Sequence, residues 1–205
     1  MSDKLVDRRD IDFMLYEVFD AESLAEFPYF ADHSRETYDM ALNAAYDLER
    51  EVFWPAYRSF DEQGVAFDGK QAQAPKEMKA IWEAFKEGGW FAPMSSYEVG
   101  GQQFPNLIYV SCSLMFNAAN TTAAMYLGQA TGAAHLVQSF GSDFLKERFM
   151  HKLYGGEWAG TMALTEPQAG TSLSDITTSA RKADDGDYYY IQGTKRFISS
   201  GDHEI

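Results

Sequence analysis

The sequence predicts an α+β fold, with an N-terminal all-α helical bundle followed by an interrupted β domain. Three observations predict it. Apolar residues recur at spacings of three and four through the first three quarters of the chain. From Glu157 onward, β-branched and aromatic residues alternate with polar ones. Gly155-Gly156 stands between the two patterns as a helix stop. The boundaries drawn are therefore 1–156 for the helical domain and 157–205 for an incomplete β domain.

Taken in order, Asp10 can cap a first helix whose apolar face is Ile11, Met14, Leu15 and Val18. Ser34 can cap a longer one along Tyr38, Leu42, Ala45, Leu48 and Val52, which Pro55 should kink or end. Residues 60–74 are polar and glycine-containing, and read as a loop. Pro75 suits a first helical position, with Met78, Ile81, Trp82 and Phe85 behind it and Gly88-Gly89 as the stop. Residues 107–140 are apolar around nearly the whole circumference, which predicts buried helices subdivided by Gly128, Gly132 and Gly141. Ser142 can cap a last helix through Phe144, Leu145, Phe149 and Leu153. Residues 158–164, 177–182, 188–192 and 194–197 read as strands, with a hairpin signal at Asp185-Gly186 and a tight turn at Gly193. Four strands without closure leave open edges, so the β portion is expected to be a truncated piece.

Composition excludes several classes. With 17 Lys+Arg against 31 Asp+Glu, the formal charge is −14, which argues against sequence-independent nucleic-acid binding and against docking on anionic lipid. Hydrophobic residues at 45% argue against disorder. The single cysteine, Cys112, excludes an intrachain disulfide and argues against a cysteine-rich metal site, so a reducing, cytoplasmic setting is expected. The charged opening has no signal-peptide core, and the most apolar run, 107–116, is too short to span a bilayer. The four histidines are widely separated: His135 reads as a satisfied core residue, and His33 and His151 as surface ones. No catalytic residue and no metal ligand is nominated.

One segment stands out: Met162-Ala163-Leu164-Thr165-Glu166-Pro167-Gln168-Ala169-Gly170-Thr171-Ser172. It lies where a strand gives way to a loop. Pro167 stiffens the exit, and Gly170 permits a close approach that a side chain would block. Hydroxyls and free N–H groups here can meet the polar edge of a flat heterocycle and a nearby phosphate. A Ser/Thr-rich turn explains the same residues.

Leu164-Thr165-Glu166-Pro167-Gln168-Ala169-Gly170-Thr171 closely resembles the acyl-CoA dehydrogenase signature T-E-P-x-A-G-S-D. Tyr190-Ile191-Gln192-Gly193-Thr194-Lys195-Arg196-Phe197-Ile198-Ser199-Ser200-Gly201 resembles that family's I-x-G-x-K-x-[WF]-I-[TS]-[NS]-G strand pair, at the family's interval. Tyr126-Leu127-Gly128-Gln129 and the helix ending at 149–156 are also similar, so the likeness covers essentially 35–205. The opening Leu5-Val6-Asp7-Arg8-Arg9-Asp10-Ile11-Asp12-Phe13 looks like the extra N-terminal segment of a long subgroup that includes methylthiopropionyl-CoA dehydrogenases, which marks 1–33 as additional.

The resemblance implies an N-terminal all-α helical bundle domain, a β-barrel-like middle domain and a C-terminal four-helix bundle, of which this chain matches the first and the beginning of the second. It implies FAD, with Met162, Leu164 and Thr165 at the pyrimidine edge and N5 side of the flavin. Gly170 and Thr171 would approach the FAD phosphates, and Thr171 also the CoA part of the substrate. Phe197 takes the place of the aromatic residue packed on the isoalloxazine, and Ser199 that of a hydrogen-bond donor to the flavin. Leu127 and Ala123 would line the acyl pocket, as the matching family helix does, although close helix packing explains the small Ala123 and Ala124 beside Met125 equally well. The sequence departs from the pattern at Ser172, usually Asp, with Asp175 three residues on, and at Ser200, usually Asn. An extra turn or a shifted register can follow at 172–175, whereas the change at Ser200 is modest.

The implied reaction is α,β-dehydrogenation of an acyl-CoA, with a carboxylate base on the C-terminal bundle, outside this chain. Glu166 is expected to be structural. An electron-transfer flavoprotein-like acceptor and a homo-oligomeric complete protein complete the expectation. The alternative is a non-enzymatic helical interaction module, or a split subunit that pairs with another chain.

Overall fold

The computed structural model describes residues 5–202. His203 and the first four residues of the charged opening lie outside the described residues. The first helix, α1 (Arg8–Asp12), is capped by Asp7, which accepts from the Arg9 N–H at 2.9 Å; Asp10, the expected cap, sits in its first turn. A π turn, Phe13–Val18, follows and buries only Leu15. Polar contacts strap this segment to the next helix. Arg8 meets Asp12 at 2.9 Å and Asn43 at 2.9 Å, the Tyr16 hydroxyl donates to Asp39 at 2.8 Å, and the Arg35 guanidinium lies 4.2 Å from the Tyr16 ring centre.

Helix α2 (Arg35–Leu48) opens on a reciprocal cap, with the Ser34 hydroxyl accepting from the Thr37 N–H and the Thr37 hydroxyl accepting from the Ser34 N–H. Pro55 does not end it. A π turn, Glu49–Phe53, precedes Pro55, which sits in the first turn of α3 (Trp54–Gln63), where its missing N–H costs least. The wider turn shifts the buried stripe: after Tyr38, Leu42 and Ala45 come Glu49 and Phe53, while Leu48 and Val52 are half-buried.

The expected loop at 60–74 is instead the end of α3 and a two-residue antiparallel ladder, β1 (Ala66–Phe67) on β2 (Ala72–Gln73). Asp68 closes its turn by accepting from the Lys70 and Gln71 N–H groups. Helix α4 (Met78–Glu87) starts three residues after Pro75 and stops at Gly88.

Residues 106–140 form one run, α5 (Asn106–Phe140), closed by Gly141 as expected, but its internal break is at Asn120 (φ −158°, ψ 86°), not at Gly128 or Gly132. Asn120 caps the second half by accepting from the Ala123 N–H at 3.1 Å. Gly128 and Gly132 sit within the helix with open space around them. The run is not buried all round either: Val110, Leu114, Met125, Leu136 and Phe140 are exposed. Ser142 caps the last helical stretch, α6 (Asp143–Leu145), which continues through a π turn into α7 (His151–Tyr154).

The core is aromatic. Phe53 stacks on Phe116 at 5.1 Å, and Phe85 meets Phe116 edge-on at 5.4 Å and Phe91 at 5.0 Å. Beyond Gly155, the Trp82 indole donates to the Gly156 carbonyl at 2.9 Å, and Gly156 (φ +63°) lies so close to Phe91 that no side chain fits there. That junction fixes where the chain leaves the helices. Two of the four expected strands form a ladder: β3 (Ser179–Lys182) pairs antiparallel with β4 (Tyr189–Gln192), with Ser179 opposite Gln192 and Lys182 opposite Tyr189. Residues 158–164 and 194–197 carry no ladder among the described residues, and side-chain bonds with one backbone bond, from the Arg196 N–H to the Thr165 carbonyl, hold them instead. Thus His33 is not a free surface residue: its Nε2 contacts the Gln102 and Gln103 carbonyls at 2.9 and 3.1 Å and its ring stacks on Phe104 at 4.6 Å. His135, expected in the core, is exposed, as is His151.

Candidate functional site

The segment after the helices is seated on the second half of α5. A side chain at Gly160 would strike Ala133 and the Gln129 carbonyl, so glycine lets 158–162 lie against the helix. Residues 194–199 then run beside it. The Arg196 N–H donates to the Thr165 carbonyl at 2.9 Å, and the Thr161 hydroxyl donates to the Ser199 carbonyl. The two motif segments, some thirty residues apart in sequence, thus become neighbours.

Glu166 ties them together. Its side chain is 1% exposed and accepts from the Lys195 ammonium at 2.8 Å, from the Thr177 N–H at 2.8 Å and from the Thr178 N–H at 2.9 Å. The Thr177 and Thr178 hydroxyls and the Gln168 amide add three more bonds. The adjacent Lys195 ammonium and the Thr178 hydroxyl hold this carboxyl well below the usual carboxylate range. A carboxylate so fully engaged is a structural anchor and not a proton acceptor.

Around this anchor, the nominated residues face outward. Met162 is 62% exposed and Phe197 88% exposed; Leu164 and Thr165 are half-buried; Gly170, Thr171 and Ser199 are exposed. Phe197 (φ +58°) and Ser200 (φ +55°) both hold the left-handed conformation, which costs a non-glycine residue about 1–3 kcal/mol. The Ser200 hydroxyl is buried without a partner. It lines a cavity of about 560 Å³ together with Ile198, Ser199 and Gly201 on one side and Thr121, Thr122, Met125 and Tyr126 of α5 on the other. Nothing approaches Gly170, so the space in front of that backbone is open. Ser172 is followed by a 3-10 turn, Leu173–Asp175. Leu127, nominated for the acyl pocket, is 1% exposed within the core and does not line this cavity.

Sequence reasoning missed the partners of Glu166, because Thr177 and Thr178 are eleven and twelve residues downstream with no local pattern. It also missed Thr121, Thr122 and Met125, which read only as part of an apolar run. Among the described residues no cluster of His, Cys, Asp and Glu could hold a metal ion, and no helix is long and apolar enough to cross a membrane. An orphaned hydroxyl in a cavity, exposed donors and an open ring fit the edge of a flat, hydrogen-bonding heterocycle.

Two family models match: the acyl-CoA dehydrogenase N-terminal domain over residues 39–157 and the acyl-CoA dehydrogenase middle domain over 161–204. A butyryl-CoA dehydrogenase of Syntrophomonas wolfei is 32% identical over 205 residues, which cover 98% of this chain and 33% of that protein. The 3-methylmercaptopropionyl-CoA dehydrogenase of Ruegeria pomeroyi is 30% identical over 92% of this chain and 33% of its own length. The chain thus spans about a third of the length of these curated relatives. In fold it is similar to butyryl-CoA dehydrogenase from Megasphaera elsdenii, with a TM-score of 0.68 at 24% identity over 82% of this chain and 42% of that one. It is also similar to the FAD complex of PigA, with a TM-score of 0.66 at 18% identity over 81% and 41%. With a model of the family matched over more than half its length and both motif segments brought side by side, the chain belongs to the acyl-CoA dehydrogenase family.

Proposed function

We propose that this chain is the N-terminal portion of an FAD-dependent acyl-CoA dehydrogenase, which converts an acyl-CoA thioester to its α,β-unsaturated product. The observation that carries the reading is the pair of strained residues, Phe197 and Ser200, flanking a segment with an exposed ring on one side and an orphaned buried hydroxyl on the other. Strain of this kind persists where a site needs it. When bound, FAD supplies the acceptor for the hydride that leaves the β-carbon.

The placement of this chain's residues supports the following roles. Thr165 and Ser199 offer hydroxyl donors to the flavin edge, beside the backbone of Met162 and Leu164. Donors aimed there favour the reduced, more negative flavin. Phe197 presents an apolar wall that excludes water. Gly170 and Thr171 offer open backbone to the FAD phosphates, with Thr171 also toward CoA. Leu127 acts on the acyl pocket only through the packing of α5. Glu166, engaged by six donors, is not the proton acceptor for the α-carbon, and the reading places that base on the C-terminal bundle of the complete protein.

The domain division at 156–157, with 1–33 as an added strap, belongs to the same reading. So do an acyl-CoA substrate, an electron-transfer flavoprotein-like acceptor, a homo-oligomeric assembly and a cytoplasmic setting. The test is acyl-CoA-dependent bleaching of flavin absorbance in the purified full-length protein. Bleaching that is lost or slowed at least tenfold in Thr165→Val with Ser199→Ala is expected. A protein that carries flavin but is not bleached by any saturated acyl-CoA would overturn the activity.

A further inference from the structure

We propose that Lys195 is a positioning residue for the flavin edge, acting through the Leu164–Thr165 peptide bond; the inference rests on the flavin reading above. The Lys195 ammonium makes two bonds at once. One goes to Glu166 Oε1 at 2.8 Å, the other to the Leu164 carbonyl at 2.9 Å. The first neutralises a buried carboxylate. The second is not needed for that purpose, and it fixes the direction of a backbone carbonyl in the middle of the site.

A trans peptide is planar, so its carbonyl and the following N–H point in opposite directions. There are no cis peptide bonds among the described residues. With the Leu164 carbonyl turned onto Lys195, the Thr165 N–H points away from it. Among the described residues this N–H finds no hydrogen-bond acceptor. The next peptide is held as well, because the Thr165 carbonyl accepts from the Arg196 N–H at 2.9 Å. Both peptide planes around Thr165 are therefore anchored to Lys195 and Arg196, and an unspent backbone donor is left beside the Thr165 hydroxyl.

The ammonium is held in place by its surroundings. The Thr178 N–H shares Glu166 Oε1 with Lys195 at 2.9 Å, the Thr177 N–H holds Oε2 at 2.8 Å, and the Lys195 side chain is only 20% exposed. A donor fixed before the ligand arrives costs no reorganisation when negative charge develops on the flavin. A purely structural lysine, by contrast, balances Glu166 and does nothing to the flavin.

The FAD-loaded full-length protein separates these two roles through FAD affinity and the midpoint potential of the bound flavin, each read beside Tm. Lys195→Met is expected to weaken FAD binding about tenfold, the size of one well-made hydrogen bond, and to lower the potential. Lys195→Arg, which retains a cationic donor, is expected to restore most of both. A Lys195→Met protein with lowered Tm but wild-type affinity and potential would overturn the proposal. If that variant does not fold, Glu166→Gln with Lys195→Met removes both buried charges together. Its net charge is unchanged, so a drop in affinity and potential supports the peptide-orientation role and wild-type values sink it. A wild-type protein that takes up no FAD refutes the flavin reading itself, and this inference falls with it.

Discussion

Glu49 has no business on a core face by composition, and its burial makes a quantitative prediction. It occupies the position after Tyr38, Leu42 and Ala45 on the buried stripe, within the π turn between α2 and α3. Its side chain is fully buried, and neither carboxyl oxygen has a hydrogen-bond partner. Burial pushes its pKa from 4.5 up to about 7, with Arg50 offsetting only part of the effect. A carboxyl whose pKa is raised on folding stabilises the fold while it is protonated. That contribution is complete below the unfolded pKa, declines between 4.5 and about 7, and is lost above. At about 1.36 kcal/mol per pKa unit, the charged form costs the folded protein about 3 kcal/mol at pH 8.

Glu49→Gln replaces the acid by a neutral group of the same shape. At pH 5, just above the unfolded pKa, the two proteins should differ by less than about 1 kcal/mol. At pH 8 the variant should be more stable by about 3 kcal/mol, or roughly 6–12 °C in Tm for a chain of this size. The assay is urea unfolding of both proteins at several pH values between 5 and 8. A stability difference that does not grow with pH would refute the reasoning, because it would mean that the carboxylate has a partner which holds its charge.

Three further outcomes follow from the same structure. Phe53→Ala removes the ring stacked on Phe116 at the centre of the core and should cost about 3–5 kcal/mol, seen as a lowered denaturation midpoint with an unchanged slope. Glu166 has the opposite pH sign to Glu49: its pKa is depressed, so its contribution is present above the ordinary carboxylate pKa and lost as pH falls through and below it. Glu166→Gln should therefore lower stability at pH 7 and flatten the loss of wild-type stability in acid, measured by thermal unfolding between pH 3 and pH 7. Phe197 is 88% exposed in a left-handed conformation, so Phe197→Gly should leave fold stability unchanged or raise it by about 1 kcal/mol.

Much of this architecture was legible in the residues. The Ser34 cap, the Gly88 stop, the Ser142 cap and the β3–β4 hairpin around Asp185-Gly186 each depend on local chemistry, and local chemistry is visible in sequence. What was hidden depended on distant partners. Pro55 is accommodated by a π turn upstream, which rotates Glu49 and Phe53 inward in place of Leu48 and Val52. Asn120 breaks α5 because its side chain replaces a backbone acceptor, whereas Gly128 and Gly132 remain helical since neighbouring turns hold them. Residues 158–164 and 194–197 have strand-like patterns but are joined by Lys195, Arg196 and Thr161 and not by a ladder. At the site, the motif residues were readable, but the anchoring of Glu166 by Thr177 and Thr178 was not. His135 reads as core from its apolar neighbours, yet it lies on the exposed face of α5, where it lines a cavity of about 490 Å³.

On this reading, the strained, outward-facing segment around Phe197 holds a flavin. The most direct measurement is FAD titration of Phe197→Gly in the full-length protein, followed by flavin fluorescence, with Tm read on the same samples. The expected result is at least a tenfold loss of FAD affinity in a protein whose apo form is as stable as the wild type or more so. Unchanged FAD affinity would contradict it, because the ring and its strained backbone would then serve no flavin.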